Sequence, residues 1–393
     1  MKERIDEGTG MEKLCLELEA VTPIFIAGAD QRNIENEGLR PPSLRGLMRW
    51  WFRAALGGAK FPSGNLRIEK VKEEENKIWG STDRQSKVAI TVCSINSKTS
   101  PASLRSSGER YLGFGLSNRA CITPGSKFKV VIYFRPVISG KEKSKILATL
   151  WLLLNLGNIG SKSRKGFGSV RISKEVKING IEFKNPRSIE ELEGYFKSTI
   201  RKILKVFGWD GFTPKSLTLP EFPVITPNFW KMKILDNIYS SPTDAINSIG
   251  KEIRKYREDR ANPRAKHRYR SFSYWVTKDY NAVKSIYTRT PASTPQGSIF
   301  GLPHQFQFRS LGKAVVKGIK HERRASPLYI KIWKLNEEEY AIGLQLFKSK
   351  FLPEDKLRIS DLKDPKIGEN VNLPSYSYLE NFLNRLRGRW INL

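Results

Sequence analysis

Apolar and polar side chains alternate over residues 14–21, with Leu14, Leu16 and Leu18 on one side and Glu17 and Glu19 on the other, the period of a half-buried strand. Thr22-Pro23 ends that pattern. After Leu39-Arg40-Pro41-Pro42-Ser43 the period becomes helical, with Leu44, Leu47, Met48, Trp51 and Ala55 inside one arc. The spacing predicts a helix with Ser43 as N-cap, running to about Leu56 and closed by Gly57-Gly58. Residues 57–125 read as loop-rich, with a short strand near 88–93 and a turn at Thr123-Pro124-Gly125. A strand over 128–134, a nearly unbroken apolar run over 146–154 that predicts a buried helix, and a β-like run over 169–172 follow. The order strand, helix, strands, helix, loop, strand is the βαββαβ path of a ferredoxin-like or RRM-type domain.

The second half roughly repeats the first. A helix over 188–207 and a Pro-punctuated stretch over 213–227 precede a strand over 229–235. Ser241-Pro242-Thr243-Asp244 opens a further helix, strands follow over 328–335 and 340–347, and a last helix over 376–387 leads into residues 390–393. The expected fold class is therefore α+β, with two tandem ferredoxin-like domains carrying loop and helical insertions. Their expected limits are residues 11–185 and 221–393, with a helical linker over 186–220.

Composition narrows the function. The 393 residues carry a formal net charge of +30 and a sequence pI near 10.0, which implies a polyanionic partner such as nucleic acid or an anionic membrane. The longest apolar run is about half of the ~20 residues that span a bilayer, and the polar start of the chain resembles no signal or transit peptide. A membrane is therefore not expected, and a cytoplasmic location is. Cys15, Cys93 and Cys121 lack CxxC spacing and the three histidines, His267, His304 and His321, stand apart. Neither a disulfide framework, nor a metal site, nor a cofactor is expected.

Three stretches concentrate candidate chemistry. Between residues 157 and 170 lie four glycines with Lys162, Arg164 and Lys165, a loop whose free backbone and cations suit a phosphate chain. Its glycine spacing and its helix–loop–strand order exclude both the Walker and the dinucleotide loop. The bland alternative is a solvated connection. On the first helix, Arg45, Arg49 and Arg53 form an i, i+4, i+8 stripe beside Trp50, which reads as a core or shoulder residue and, being off the core arc, could alternatively stack on a base. No acid occurs between Glu37 and Glu69, so compensation is not local, and a solvated basic face is the alternative. Finally, residues 251–270 hold nine Lys and Arg against three acids and run into Phe272, Tyr274 and Trp275, a mix suited to single-stranded nucleic acid or to a basic insertion whose aromatics belong to the core.

Taken in order, Thr22-Pro23-Ile24-Phe25 with Gly28-Ala29-Asp30, Arg40-Pro41-Pro42-Ser43-Leu44-Arg45-Gly46 with Arg49-Trp50-Trp51-Phe52-Arg53, the loop ending Gly166-Phe167-Gly168, Phe300-Gly301-Leu302-Pro303, and Arg323-Arg324-Ala325-Ser326-Pro327-Leu328 resemble the RAMP superfamily of CRISPR RNA-binding proteins. Within it the chain resembles the first-numbered RAMP subunit of the Cmr (type III-B) effector complex. The resemblance implies two ferredoxin-like folds, a role in an antiviral ribonucleoprotein, a position capping the backbone near the 3′ end of the guide CRISPR RNA, and no target-cleaving residue. Expected partners are single-stranded guide and target RNA and the other Cmr subunits. Expected RNA-binding residues are Arg40, Arg45, Arg49, Trp50, Arg53, Lys162, Arg164, Lys165, Gly166, Phe167, Gly168, His304, Arg323 and Arg324, with no catalytic residue. The rival reading is a metal-independent RAMP endoribonuclease that processes precursor CRISPR RNA, with His304 or His267 and a tyrosine as acid and base.

Overall fold

The computed structural model describes residues 4–5, 11–26, 38–61, 67–215, 217–258, 277–288, 290–308 and 310–393. His267, the Gly28-Ala29-Asp30 motif and most of the basic run after Glu258 lie outside them. The first half contains β1 (Glu12–Ala20), α1 (Pro41–Ala59), α2 (Ile68–Trp79), β2 (Val88–Asn96), α3 (Ser107–Leu112), β3 (Lys127–Phe134), α4 (Gly140–Leu156) and β4 (Val170–Ile172). Then come α5 (Ile189–Val206), β5 (Trp230–Leu235), α6 (Pro242–Arg257), α7 (Tyr280–Thr288), β6 (His304–Phe308), β7 (Gly312–Gly318), β8 (Leu328–Lys334), β9 (Tyr340–Phe347), β10 (Lys356–Asp361), β11 (Gly368–Asn372), α8 (Ser377–Arg385) and β12 (Gly388–Ile391).

The architecture is mixed α+β. In the first antiparallel sheet the order is β4, β1, β3, β2; in the second it is β12, β5, β9, β8. Each half thus lays its fourth strand beside its first, then its third, then its second, with one helix crossing after the first strand and another after the third. Between β5 and β8, and again between β9 and α8, the second half inserts the strands of a third antiparallel sheet, β6, β7, β10, β11.

Three sequence expectations change. α1 starts at Pro41, not at Ser43, and Arg40 is its extended N-cap. Proline at the first helical position loses nothing, because that N–H has no helical partner anyway. Gly57 and Gly58 lie inside the helix rather than ending it. A Cβ at Gly58 would sit 2.1 Å from the Ile225 carbonyl oxygen, so the glycine permits the 222–226 segment to cross the helix, where the Ile225 N–H bonds the Ala54 carbonyl. The stretch after α1 is not loop-rich: it holds α2 and the nine-residue β2. Only Val71, Glu75, Ile78 and Trp79 of α2 are buried, a stripe too thin to stand out among its lysines and glutamates. In α5, over the expected linker, Leu192, Phe196, Ile200 and Ile203 are buried and the Phe196 ring lies 5.3 Å from that of Trp333.

α4 is the axis of the molecule. Ser139 and Glu142 form a capping box at its start, and every residue from Ile146 to Leu154 is buried, as an all-round apolar helix requires. Its other end has carbonyls with no helical donor, and the second half supplies their donors. Lys331 Nζ donates to the carbonyls of Leu154 at 2.9 Å, Gly157 at 2.7 Å and Val170 at 3.2 Å. Trp333 Nε1 reaches the Asn155 carbonyl at 2.9 Å and Gln345 Nε2 the Leu156 carbonyl at 2.7 Å. Three acceptors match the three protons of an ammonium, and a cation complements the negative end of a helix.

Burial lowers the Lys331 pKa to about 7. In the unfolded chain the amine keeps its proton to an ordinary pKa of 10.5; the fold holds it only to about 7, so this residue makes the fold more stable as pH rises through that window. Lys331→Met should lower the unfolding free energy by about 3 kcal/mol, read from the urea midpoint, and should flatten the gain in stability between pH 7 and pH 10. An unchanged midpoint would remove this lysine from the docking of the two halves.

Candidate nucleic-acid interface

The glycine loop after α4 lies on a bed made by the segment that follows β1. Thr22 Oγ1 donates to the Gly166 carbonyl at 2.9 Å and accepts from the Ser169 N–H at 2.8 Å, while Gly168 and Ser161 N–H groups bond the carbonyls of Pro23 and Phe25. Gly168 has a φ of +78°, and a Cβ there would lie 1.7 Å from the Ile159 carbonyl oxygen, so only glycine fits. Phe167 is fully buried against Phe25, with ring centroids 5.5 Å apart. Gly166, Phe167 and Gly168 are thus packed inside the protein, and the backbone expected to be bare is covered. What the loop presents is its cationic stretch, with Lys162 exposed at the tip.

The two cations behind the tip tie the halves together. Arg164 Nη1 donates to the Ser326 carbonyl at 2.7 Å, and its guanidinium lies 4.5 Å from the Tyr329 ring centre and 5.7 Å from that of Trp50. Trp50 sits in an aromatic cluster with Trp51, Tyr329 and Phe347 and joins the first half to β8 and β9. Lys165 Nζ reaches the Phe300 carbonyl at 3.3 Å, and burial, then the nearby Arg257, Lys162 and Arg164, bring its pKa to about 7.

In the second half two distant motifs run side by side: the Leu302 N–H donates to the Arg324 carbonyl at 2.7 Å, and Arg324 donates to Ser349 Oγ at 2.9 Å, while Arg323 is exposed. Facing the glycine loop, they form one wall of a cleft of about 1610 Å³. Its lining takes Arg110, Lys162, Arg164, Lys165, Arg257, Lys284, Lys313 and Arg324 from both halves, with His304, and no carboxylate among the described residues. Phe114, 77% exposed between Gly113 and Gly115, and the half-buried Phe306 add aromatic faces. A groove of cations and accessible rings can track a phosphate chain and stack its bases.

Of the sequence candidates, the cleft brings together Lys162, Arg164, Lys165, His304 and Arg324. The α1 stripe is elsewhere, and its compensation is local in space. Arg49 Nε pairs with Glu75 at 2.5 Å and Arg53 lies 3.6 Å from the same carboxylate, while Arg45 donates to the Trp79 carbonyl. Both partners come from α2. Arg40 is half-buried at the start of α1. The candidates that sequence reasoning missed are Arg110, Phe114, Arg257, Lys284 and Lys313. Arg257 was visible only as one cation of a run, and Phe114 only as an aromatic between two glycines; the lysines carry no local signal.

Among the described residues no cluster of three metal-ligand side chains occurs, and no helix is long and apolar enough to cross a membrane.

Comparison with known proteins gives one consistent relationship. The family model of the RAMP superfamily matches residues 17–171, the span from β1 through β4. The CRISPR system Cmr subunit Cmr1-1 of Pyrococcus furiosus is 30% identical over 357 residues, covering 86% of this chain and 88% of the relative. Cmr1-2 of the same organism is 31% identical over 186 residues, covering 41% and 96%. The crystal structure of Cmr1 from Pyrococcus furiosus in its apo form superposes with a TM-score of 0.60 at 22% identity, covering 96% of this chain and 98% of the other. A chain of the cryo-EM structure of the Type III-B Cmr-beta bound to cognate target RNA has a TM-score of 0.50 at 14% identity, covering 87% and 96%.

The contact between α1 and α2 is open to a double-mutant cycle. Glu75→Ala should destabilise the chain by about 2 kcal/mol, because a hydrogen-bonded, buried carboxylate is lost and two arginines face each other without it. Arg49→Ala should then cost less in that background than in the unaltered chain. Additive costs would mean that the pair does not couple.

Proposed function

Because the chain belongs to the RAMP superfamily, and within it to the Cmr1 subunits of CRISPR Cmr systems, we propose that it is a non-catalytic, cytoplasmic RNA-binding subunit of a type III-B complex, holding single-stranded guide or target RNA in the cleft between two ferredoxin-like halves. The observation that carries this reading is the cleft lining, where cations from both halves converge without a described carboxylate. The strand order of both sheets supports the ferredoxin-like assignment. The domain limits stay at 11–185 and 221–393, with α5 packed between them. A related chain is seen in a Cmr assembly bound to target RNA, which favours the same class of ligand here.

Phosphate contacts position a strand without reading its sequence, which suits a subunit whose target choice is left to base pairing. Lys162, Lys284 and Lys313 supply charge along the cleft, and Phe114 supplies a stacking face. The His304 ring lies 3.4 Å from Arg257, and burial, then Arg257 and Lys165, hold its pKa well below 6.5. That shift makes it a poor acid for a leaving oxygen and leaves the base role of the rival reading to be decided by the cleavage assay. His321 is not beside His304 but pairs with Glu354 at 2.7 Å.

Binding of a single-stranded RNA by the full chain should weaken steeply with salt, and Lys162/Lys284/Lys313→Ala should make the log–log slope shallower by about 2, as the loss of three phosphate contacts requires. Phe114→Ala should weaken binding by about 1–3 kcal/mol with the slope unchanged, because stacking is not ionic. The RNA recovered on a denaturing gel should be intact. Metal-independent cutting that disappears in His304→Asn would overturn the non-catalytic reading, and a slope unmoved by the triple change would remove the cleft.

A further inference from the structure

On the lining of the cleft, basic groups converge from separate elements. Lys165 arrives from the loop after α4, Arg257 from the last turn of α6 and His304 from the first position of β6. Lys165 Nζ lies 5.8 Å from the centre of the Phe300 ring and the Arg257 guanidinium 5.7 Å from it. Arg257 Nη1 donates to the Tyr111 hydroxyl at 2.7 Å and Nη2 lies 3.4 Å from His304 Nδ1. The described carboxylate in reach is Asp279, 3.8 Å from Arg257, and both of its oxygens also accept from the Gly297 N–H at 3.1 Å. Lys162 and Arg164 face Lys165 from its own loop. Positive charge therefore accumulates in a deep part of the cleft lining, a recess where Arg257 is only 7% exposed, whereas Lys162 stands exposed at the tip of its loop.

We propose that this recess, formed by Lys165, Arg257 and His304, is a pocket for a phosphomonoester, and that its ligand is the phosphorylated end of the RNA strand lying in the cleft. The second clause rests on the RNA-binding reading above. A strand interior would have to enter and leave the recess, whereas an end only has to point in. A terminal phosphate also carries up to two charges where a backbone phosphate carries one, and its bare oxygens can each take a charge-assisted hydrogen bond.

Protonation follows from the same geometry. Without an anion, Lys165 and His304 are held toward their neutral forms by burial and by Arg257, with Lys162 and Arg164 adding to the repulsion on Lys165. A phosphate dianion favours the charged forms of both, so its binding takes up protons and strengthens as pH falls. Asp279 meets the same guanidinium nitrogen as His304, and burial raises its pKa; a phosphate nearby pushes it further toward its protonated form, so it takes up protons with the same sign.

The test uses the full chain and three oligonucleotides of one sequence, carrying a 3′-phosphate, a 5′-phosphate or hydroxyls at both ends. One phosphorylated end should bind about tenfold tighter than the hydroxyl form at pH 6.5, and the advantage should shrink to about twofold at pH 8.5. Lys165→Met should abolish the advantage. His304→Gln, which keeps a hydrogen-bonding side chain without the titration, should weaken its pH dependence. Calorimetry of the unaltered chain in two buffers of different ionisation enthalpy should show proton uptake with the preferred oligonucleotide, a readout that needs no variant to fold. Equal affinity for all three ends at both pH values, with a normal salt slope, would overturn the pocket and leave the RNA-binding reading standing. No binding of any oligonucleotide would sink both. A nucleoside monophosphate that binds as tightly as the phosphorylated strand would overturn the assignment to an RNA end.

Discussion

The contact of the Lys331 side-chain nitrogen with the C-terminal end of α4 is the interaction on which the rest of the structure depends. A helix end needs donors for its last carbonyls, and here they come from side chains some 170 residues downstream: Lys331, Trp333 and Gln345. Leu154, Leu156 and Gly157 are buried, so their carbonyls need donors from within the protein. The second sheet must therefore sit where it does, and α5, Trp50 and Arg164 fill the seam that this docking leaves. The second half repeats the device within itself, where Lys233 donates to the Leu383 carbonyl at 3.1 Å and the Leu386 carbonyl at 2.5 Å at the end of α8.

The cleft is a product of that docking. The glycine loop begins at the residue after α4, so the groups that hold the helix end also set where Lys162, Arg164 and Lys165 stand relative to β6 and to the Arg323-Arg324 segment. The motifs divide into two kinds. Thr22-Pro23, Gly166-Phe167-Gly168 and Gly301 provide shape: Thr22, Gly166, Phe167 and Gly168 are buried, all three glycines have positive φ, and at Gly168 a neighbouring carbonyl also passes too close for a side chain. The cations provide the field. A rigid base under charged tips keeps the charges apart from carboxylates that would neutralise them, as α2 neutralises the arginines of α1.

Much of the fold was legible in the chain. Strands β1, β3, β5, β8 and β9 and helices α4, α5 and α6 follow from their periods, because each buries a broad apolar face. By contrast, β12 is mostly half-buried and had no such period. The third sheet has weak sequence signals: His304-Gln305-Phe306-Gln307-Phe308 alternates, but β7 and β10 bury short runs of neighbouring residues rather than alternate ones, and β11 buries only Val371. The helix α2 was missed because four buried side chains among charged ones resemble a solvated segment. That omission misplaced the arginine stripe, whose partner Glu75 is distant in sequence and adjacent in space. The candidate site was half legible. The glycine loop announced itself by composition, but whether a cation stands in a seam or in a groove depends on packing between halves, which no local pattern carries. Lys331 is the extreme case: one lysine in an apolar strand gives no hint that a helix end waits for it.

The device at the end of α4 also bears on the chain's synthesis. The helix leaves the ribosome complete at Leu156, but its end stays unsatisfied until β8 and β9 emerge, a delay of about 10–40 s at ~5–20 residues per second. Throughout that interval a helix that is apolar from Ile146 to Leu154 lacks the strands that supply its donors, so a chain cut short before Lys331 would be released with that helix end unpartnered.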